Sequence, residues 1–339
     1  VNSSVEDLEA ARHGDESAFR RLVAPFRREL RAHCYRMAGS IHEADDLLQE
    51  SLLKAWRGLA SFEGRSSLRT WLYTVTTRAC LDVLDKRSSR VLPQDLQPAA
   101  DPNAPTGPPR MEPIWIEPCP ADVYRDAPES PEAAYSAKES VALAFLVALQ
   151  LLPAKQRAVL ILRDVLGWQA SDCADLLELS VAAVNSALQR ARETLQKRAP
   201  SLRDHPARAI DDAATRTLLE RYVRAWELAD VPLLVSLLKE DAKLAMPPLP
   251  EWIEGKEAIG ASIAGMVLGP DARGSFRLVA SEANGCIAFA AYQRKSDGEP
   301  FSALALHVLE LEGDHIASIT AFLDPRLFGA FGLAATLSG

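Results

Sequence analysis

The residues best equipped for chemistry lie between positions 181 and 198, in VAAVNSALQRARETLQKR. Val181, Val184, Leu188, Ala191 and Leu195 recur at steps of three and four, which predicts the apolar stripe of a helix. The opposite side carries Asn185, Ser186, Gln189, Arg190, Arg192 and Lys197. An Asn or Gln amide can pair bidentately with an adenine edge, and an Arg guanidinium with guanine. Ser180 is placed to cap the first turn. Upstream, GWQASDCADLLELS reads as a shorter helix and a tight turn, with Ala170, Ala174 and Leu177 facing the later helix. Short helix, turn and polar-faced helix make a helix-turn-helix pattern. The same periodicity also suits an ordinary amphipathic pair in an all-α core.

Two more sets lie near the start of the chain. In IHEADDLLQESLLKAWRGL, Ile41, Ala44, Leu48, Leu52, Ala55 and Leu59 predict a buried stripe, with Asp45, Asp46, Gln49, Glu50 and Lys54 on the other side. On charge alone that side reads as a solvated face. Beyond it, Arg65, Arg69, Arg78, Lys86, Arg87 and Arg90 surround Phe62, Trp71 and Tyr73. Cations interleaved with aromatics are what single-stranded DNA binding uses, for phosphate contacts and for stacking on unpaired bases. Core packing is the competing reading for Trp71 and Tyr73.

A last set is scattered over the C-terminal third: Tyr222, Asp241, Tyr292, His307 and Asp324 are polar groups that could line a pocket. His307 is in phase with Ala303 and Ala305, where a hydrogen-bonded core histidine is the simpler reading. No base–acid pair shows in the spacing, so no catalytic residue is assigned.

Composition bounds these readings. The chain has 339 residues, enough for two or three domains, and 48% are hydrophobic. Its longest apolar run, residues 141–149, is about half of what a membrane span needs. No charged-then-apolar leader opens it. Five scattered cysteines without a C-x-x-C, and no His/Cys cluster, point to reduced thiols in a cytosol, with neither metal nor cofactor expected. The net charge of −8 is uneven: residues 1–90 carry +2, 91–140 carry −6, 141–210 carry +3 and 211–339 carry −7. Phosphate neutralisation dominates nonspecific DNA affinity, so the two basic segments alone should bind DNA weakly.

The elements that must position these groups follow from the patterning. Residues 1–92 and 136–203 read as helical domains. Residues 93–135 form a Pro-rich linker whose segment 113–124 carries Ile114, Trp115, Ile116 and Tyr124 and is expected to dock on a domain. Residues 204–339 begin with helices over 211–230 and 231–241. Strand-like runs follow, broken by the turn-forming NG, SDGEP and GD. That order predicts an α+β domain.

DDLLQESLLKAWRGL with the later WLYTVTTRACLDVL resembles region 2 of sigma-70 family RNA polymerase sigma factors. LPAKQRAVLILRDVLGWQASDCADLLELSVAAVNSALQRARETL resembles their region 4. The two motifs cover roughly residues 5–200, in order, about forty-five linker residues apart. The lack of other sigma regions between them is similar to the extracytoplasmic-function (ECF) group, and the C-terminal third resembles a SnoaL-like domain of the NTF2-like superfamily. The resemblance implies a multidomain protein of two all-α sigma domains plus a cone-shaped α+β domain with an apolar pocket. It implies a promoter-directing subunit, not an enzyme, whose partners are promoter DNA and core RNA polymerase through the β′ clamp helices and the β flap. Asp45, Asp46, Gln49 and Glu50 would meet the polymerase. Arg65, Arg69, Trp71, Arg78, Lys86 and Arg87 would read the −10 element, although many relatives carry Asn where this chain has Arg78. Lys155, Arg157 and Arg192 would touch −35 phosphates while Asn185, Ser186, Gln189 and Arg190 face bases. The C-terminal domain is expected to grip the sigma regions or linker and tune activity, with a small-molecule ligand left open. The alternative is a SnoaL-type isomerase or cyclase fused to a DNA-targeting module.

Overall fold

The computed structural model describes residues 2–84, 87, 89–101, 107–112, 114–124, 142–198 and 213–338. They fall into two compact units, Val1–Arg90 with Asp122–Leu202, and Val91–Ala121 with Arg203–Gly339.

The first unit is built from helices: α1 (Asn2–Arg12), α2 (Glu16–Val23), α3 (Arg27–Ala38), α4 (Ile41–Gly58) and α5 (Leu68–Leu84). The break between α3 and α4 is written locally. Gly39, at φ 72, closes α3 in the left-handed conformation that glycine adopts without strain. Ser40 Oγ then accepts the Glu43 N–H at 3.1 Å and starts α4. The expected stripe of α4 is buried from Ile41 to Leu59, and it is joined by Leu47, Ser51 and the charged Glu43. Later in the same unit come α7 (Leu143–Gln150) and α8 (Ala154–Leu160), whose last turn widens into a π-helical stretch over Ile161–Val165. They are followed by α9 (Ala170–Leu177) and α10 (Val181–Arg198).

The second unit holds the short α6 (Pro93–Leu96), then α11 (Ala213–Glu227) and α12 (Val231–Leu237). Next come β1 (Leu238–Ala245), β2 (Trp252–Glu254) and α13 (Lys256–Met266). The chain continues through β3 (Phe276–Ala283), β4 (Cys286–Gln293), β5 (Phe301–Glu312) and β6 (His315–Phe322), and finishes with α14 (Leu327–Ala330) and β7 (Thr336–Leu337). The sheet runs β2-β1-β6-β5-β4-β3, with β7 on β5. All pairs are antiparallel except β1 with β6. Asn284 and Gly285, at φ 54 and 73, form the two-residue turn that the NG dipeptide predicts.

One boundary differs from the sequence pattern. The helix expected over 231–241 stops at Leu237, and Leu238 opens β1. Backbone pairing of β1 with both β2 and β6 outweighs the helical periodicity of LLVSLLKED there. The core lies between α11–α13 and one face of the sheet, where Tyr222, Trp226, Leu234, Ile259 and Ile263 meet Phe276, Phe289, Leu309 and Ile319.

Linker residues belong to this second unit. Ala100 N–H donates to Trp252 O (2.8 Å), Trp252 Nε1 to Gln97 O (2.8 Å) and Arg110 N–H to Pro248 O (2.9 Å). At the other end of the sheet, Cys119 N–H donates to Asn284 Oδ1 (2.9 Å) and Asn284 N–H to Cys119 O (3.0 Å). Ile116, Cys119 and Asn284 are all buried.

Candidate nucleic-acid interface

The helix-turn-helix is assembled by apolar packing and two local caps. Cys173, Ala174, Leu176 and Leu177 of α9 are buried together with Val184, Ala187, Leu188 and Ala191 of α10. Glu178 takes a left-handed conformation (φ 56, ψ 47), and its N–H returns to Ala174 O. Ser180 Oγ accepts the Ala183 N–H at 3.1 Å, as its type and place predict. Asn185, Ser186, Gln189 and Arg190 are then all exposed. They lie on two adjacent ridges at i, i+4 spacing, Asn185–Gln189 and Ser186–Arg190. Gln189 Nε2 donates to Glu193 Oε1 at 3.0 Å, and the Arg192 guanidinium holds the Asp164 carboxylate at 2.7 Å.

Two expectations for this region change. Val181 was read into the buried stripe, yet it is 46% exposed while Val184 is fully buried. Arg157 was expected on a phosphate, yet it is 4% exposed. Its guanidinium donates to the carbonyls of Leu149 (2.9 Å), Gln150 (3.1 Å) and Leu152 (3.1 Å), to Gln150 Oε1 (2.7 Å) and to Met37 O. Met37 belongs to the last turn of α3, whose carbonyls have no helical partner, so the buried cation acts as a cap supplied from a distant part of the chain. Burial pushes its pKa down to about 10, which leaves it charged at neutral pH. Lys155, two residues earlier, is exposed and remains a phosphate candidate.

On α4, Asp45, Asp46, Gln49 and Glu50 are exposed, and Leu53 (46%) stands among them. Asp45 is bound by Arg31 (2.8 Å), and Glu50 by Lys54 (3.1 Å), which also holds Asp82. The basic–aromatic set divides. Phe62 and Tyr73 are buried, and Trp71 is half-buried with its ring 5.1 Å from that of Phe62. Each described guanidinium of the −10 set lies against a carboxylate. Arg65 pairs with Glu63 (2.5 Å), and Arg69 pairs with Glu29 (2.6 Å) while covering the Tyr73 ring at 5.0 Å. Arg78 pairs with Glu178 (3.2 Å), and Arg87 with Glu43. Arg78 Nε also donates to Leu176 O at 3.3 Å, so it engages the turn of the helix-turn-helix. Lys86 lies outside the described residues. Glu43, 8% exposed and outside every set that the sequence singles out, takes Arg90 at 2.9 Å as well as Arg87. Its position three residues after Ser40 advertised a capping role and nothing about a second, distant partner.

Of the five polar groups considered for the C-terminal pocket, only Tyr222 and His307 meet. Tyr222 Oη and His307 Nδ1 meet at 3.0 Å inside the core, and the Trp226 ring lies 4.7 Å from the imidazole. Burial pushes His307 down to about 4 and Tyr222 upward, so both are neutral at pH 7. Tyr292 is on the opposite face of β4 from Phe289 and Ala291. Its ring packs on Phe328 and its hydroxyl donates to Ala334 O at 2.9 Å. Asp241 is an exposed partner of Lys239 (3.5 Å). A groove of about 510 Å³ does flank α11, between Arg216, Leu219, Glu220 and Val223 on the helix and Ala280 and Phe289 on the sheet. None of the five lines it. Asp324, the fifth group, holds Arg326 at 2.7 Å.

Comparison with known proteins places these parts. The family model for sigma-70 region 2 matches residues 22–90, that for sigma-70 region 4 matches residues 142–195, and that for a SnoaL-like domain matches residues 219–319. The ECF RNA polymerase sigma factor SigG of Mycobacterium tuberculosis is 45% identical over 328 residues, covering 96% of this chain and 86% of SigG. The chain belongs to the ECF RNA polymerase sigma factors. As such it binds core RNA polymerase and directs promoter-specific initiation of transcription. The shorter ECF sigma factor SigM of the same species is 30% identical over 58% of this chain and 84% of its own length. The crystal structure of the M. tuberculosis ECF sigma factor SigJ has the same fold, with a TM-score of 0.58 over 92% of this sigma factor and 100% of that chain at 23% identity. Among the described residues, no helix of this sigma factor is long and apolar enough to cross a membrane.

Proposed function

We propose that this sigma factor meets core polymerase through the exposed face of α4 and the −35 element through the exposed face of α10. Asp45, Asp46, Gln49 and Glu50 dock on the β′ clamp helices, where complementary charge aids encounter and register. Asn185, Ser186, Gln189 and Arg190 read base edges in the major groove, and Lys155 and Arg192 position the duplex by its phosphates. Region 4 also rests on the β flap. Arg65, Arg69, Arg78 and Arg87, with Trp71, engage the −10 element as a base leaves the stack, an extrusion that costs a few kcal/mol and is offset by stacking and phosphate contacts. The observation that carries the reading is the face of α10: four base-reading side chains exposed on two ridges over a fully apolar underside.

The SnoaL-like domain is assigned a regulatory role. It hydrogen-bonds the linker at two places, through Pro248 and Trp252 and again through Asn284, so linker freedom depends on that domain. The polar groups that could serve a catalytic site are engaged apart from one another: His307 and Tyr222 satisfy each other in the core, Tyr292 donates to Ala334 O, and Asp241 is an exposed partner of Lys239. The groove beside α11 is the place for a ligand that would shift the grip on the linker. The test is transcription in vitro with sigma-free core polymerase on a promoter library, using the full chain and its Asn284→Ala variant. Transcripts that require the protein, and a changed yield with Asn284→Ala at equal polymerase binding, support the assignment. An unchanged yield removes the linker grip from regulation.

A further inference from the structure

Val181 is the first residue of α10 and presents an apolar side chain to solvent, where its packing contribution is small. It stands four residues before Asn185 and extends that ridge to Val181–Asn185–Gln189, while the exposed Ala182 extends the other to Ala182–Ser186–Arg190. Each ridge therefore runs from an apolar residue to polar ones. The apolar end is the N-terminal one, from which recognition helices contact base edges. Ser180 already accepts a first-turn N–H there, so that turn offers one donor fewer to a phosphate. In the major groove the four base pairs present donors, acceptors and a single apolar group, the thymine C5 methyl.

We propose that Val181 is a specificity-determining residue that packs on a thymine methyl in the −35 element, beside the base pair taken by Asn185. The assignment rests on α10 being the −35 reader. Four residues of helix rise about 6 Å, and stacked base pairs are about 3.4 Å apart, which places this thymine within two base pairs of the Asn185 contact. Ala182 on the neighbouring ridge keeps the approach open to the longer valine. Because Val181 is exposed and at a helix end, its replacement leaves the fold intact.

The experiment uses the full chain with core polymerase on a strong promoter from the library, with each −35 thymine replaced singly by deoxyuridine. This exchange removes the methyl and keeps every hydrogen bond. For the unmodified protein, one position is expected to lose about fourfold in transcription, the equivalent of one buried methyl. In Val181→Ala the same exchange is expected to have no effect, and Val181→Thr, which keeps one methyl, retains part of it. A deoxyuridine penalty of equal size in Val181→Ala, or none at any position, overturns the proposal. Arg190→Ala separates the two levels. If it lowers promoter-specific transcription while the valine test fails, only the valine assignment falls. If it leaves transcription unchanged, the −35 reading of α10 falls first.

Discussion

The two faces assigned to promoter DNA are prepared in opposite ways. On the region 2 side, the four described arginines of the −10 set each lie against a carboxylate: Glu63, Glu29, Glu178 and Glu43. On α10, Asn185, Ser186 and Arg190 stand out from the helix over an apolar underside, and the ion pair of Arg192 lies beside them. The −35 face is thus presented ready-made, whereas the −10 face must trade carboxylates for phosphates. That difference teaches why counting cations overstates free DNA affinity. A paired guanidinium contributes to binding only the surplus of its phosphate contact over the contact it gives up. For exposed pairs that exchange is cheap, since each is worth about 0–1 kcal/mol.

Glu43 is where the comparison should break first and hardest. It is 8% exposed and holds both Arg87 and the equally buried Arg90, so it works as a strut between α4 and the end of region 2. Removing one member of a buried pair leaves the other charge uncompensated, at a cost of about 3–5 kcal/mol. Glu43→Ala is expected to lower the denaturation midpoint by that equivalent, with polymerase and DNA binding lost together as region 2 unfolds. A midpoint within 1 kcal/mol of the parent would place Glu43 with the cheap, exchangeable pairs and make Arg87 a freely available reader.

Arg190→Ala is next in size and probes the ready-made face. Among the described residues no hydrogen bond or ion pair holds its exposed guanidinium, so stability should be unchanged. Loss of one bidentate base contact should cost about 1–3 kcal/mol of discrimination. A drop of about 5- to 150-fold in −35-dependent transcription is expected, with core binding retained and promoters lacking a −35 element spared. A uniform loss across all promoters would assign Arg190 to phosphate and not to bases.

How much of this was legible beforehand follows the range of the interactions. The stripe of α4, the cap at Ser180, the NG hairpin and the exposed acidic face are set by neighbours within a few residues, and the pattern alone gives them. What escaped depends on residues far apart in sequence. Arg157 and Lys155 are two apart and alike in charge, yet one reaches Met37 O across 120 residues and the other faces solvent. Nothing local distinguishes them. Val181 shows the reverse error: its spacing fits the stripe, but it is the first residue of the helix and its side chain stays exposed. In the C-terminal domain, Tyr292 was misplaced for a simpler reason. It sits one residue past Ala291, beside a register shift, and the alternation of a strand puts it on the outer face.

The smallest effect is the finest test of the contrast. Glu178 holds Arg78 at 3.2 Å, with both side chains more than half exposed, so the pair itself stabilises the fold little. Glu178 also adopts a left-handed backbone, which alanine would share, so Glu178→Ala alters the charge while leaving that local strain in place. If paired carboxylates hold back the −10 face, this variant frees one guanidinium for phosphate. Affinity for single-stranded −10 DNA should then rise by at most about threefold, and the salt dependence should steepen by a slope of about 0.7, the value for one more phosphate contact on a single strand. Arg78→Ala should erase the gain, and the double variant should match Arg78→Ala alone. A gain that survives without Arg78 would mean that Glu178 repels DNA through its own charge, and the exchange of partners would not be what sets the −10 face apart.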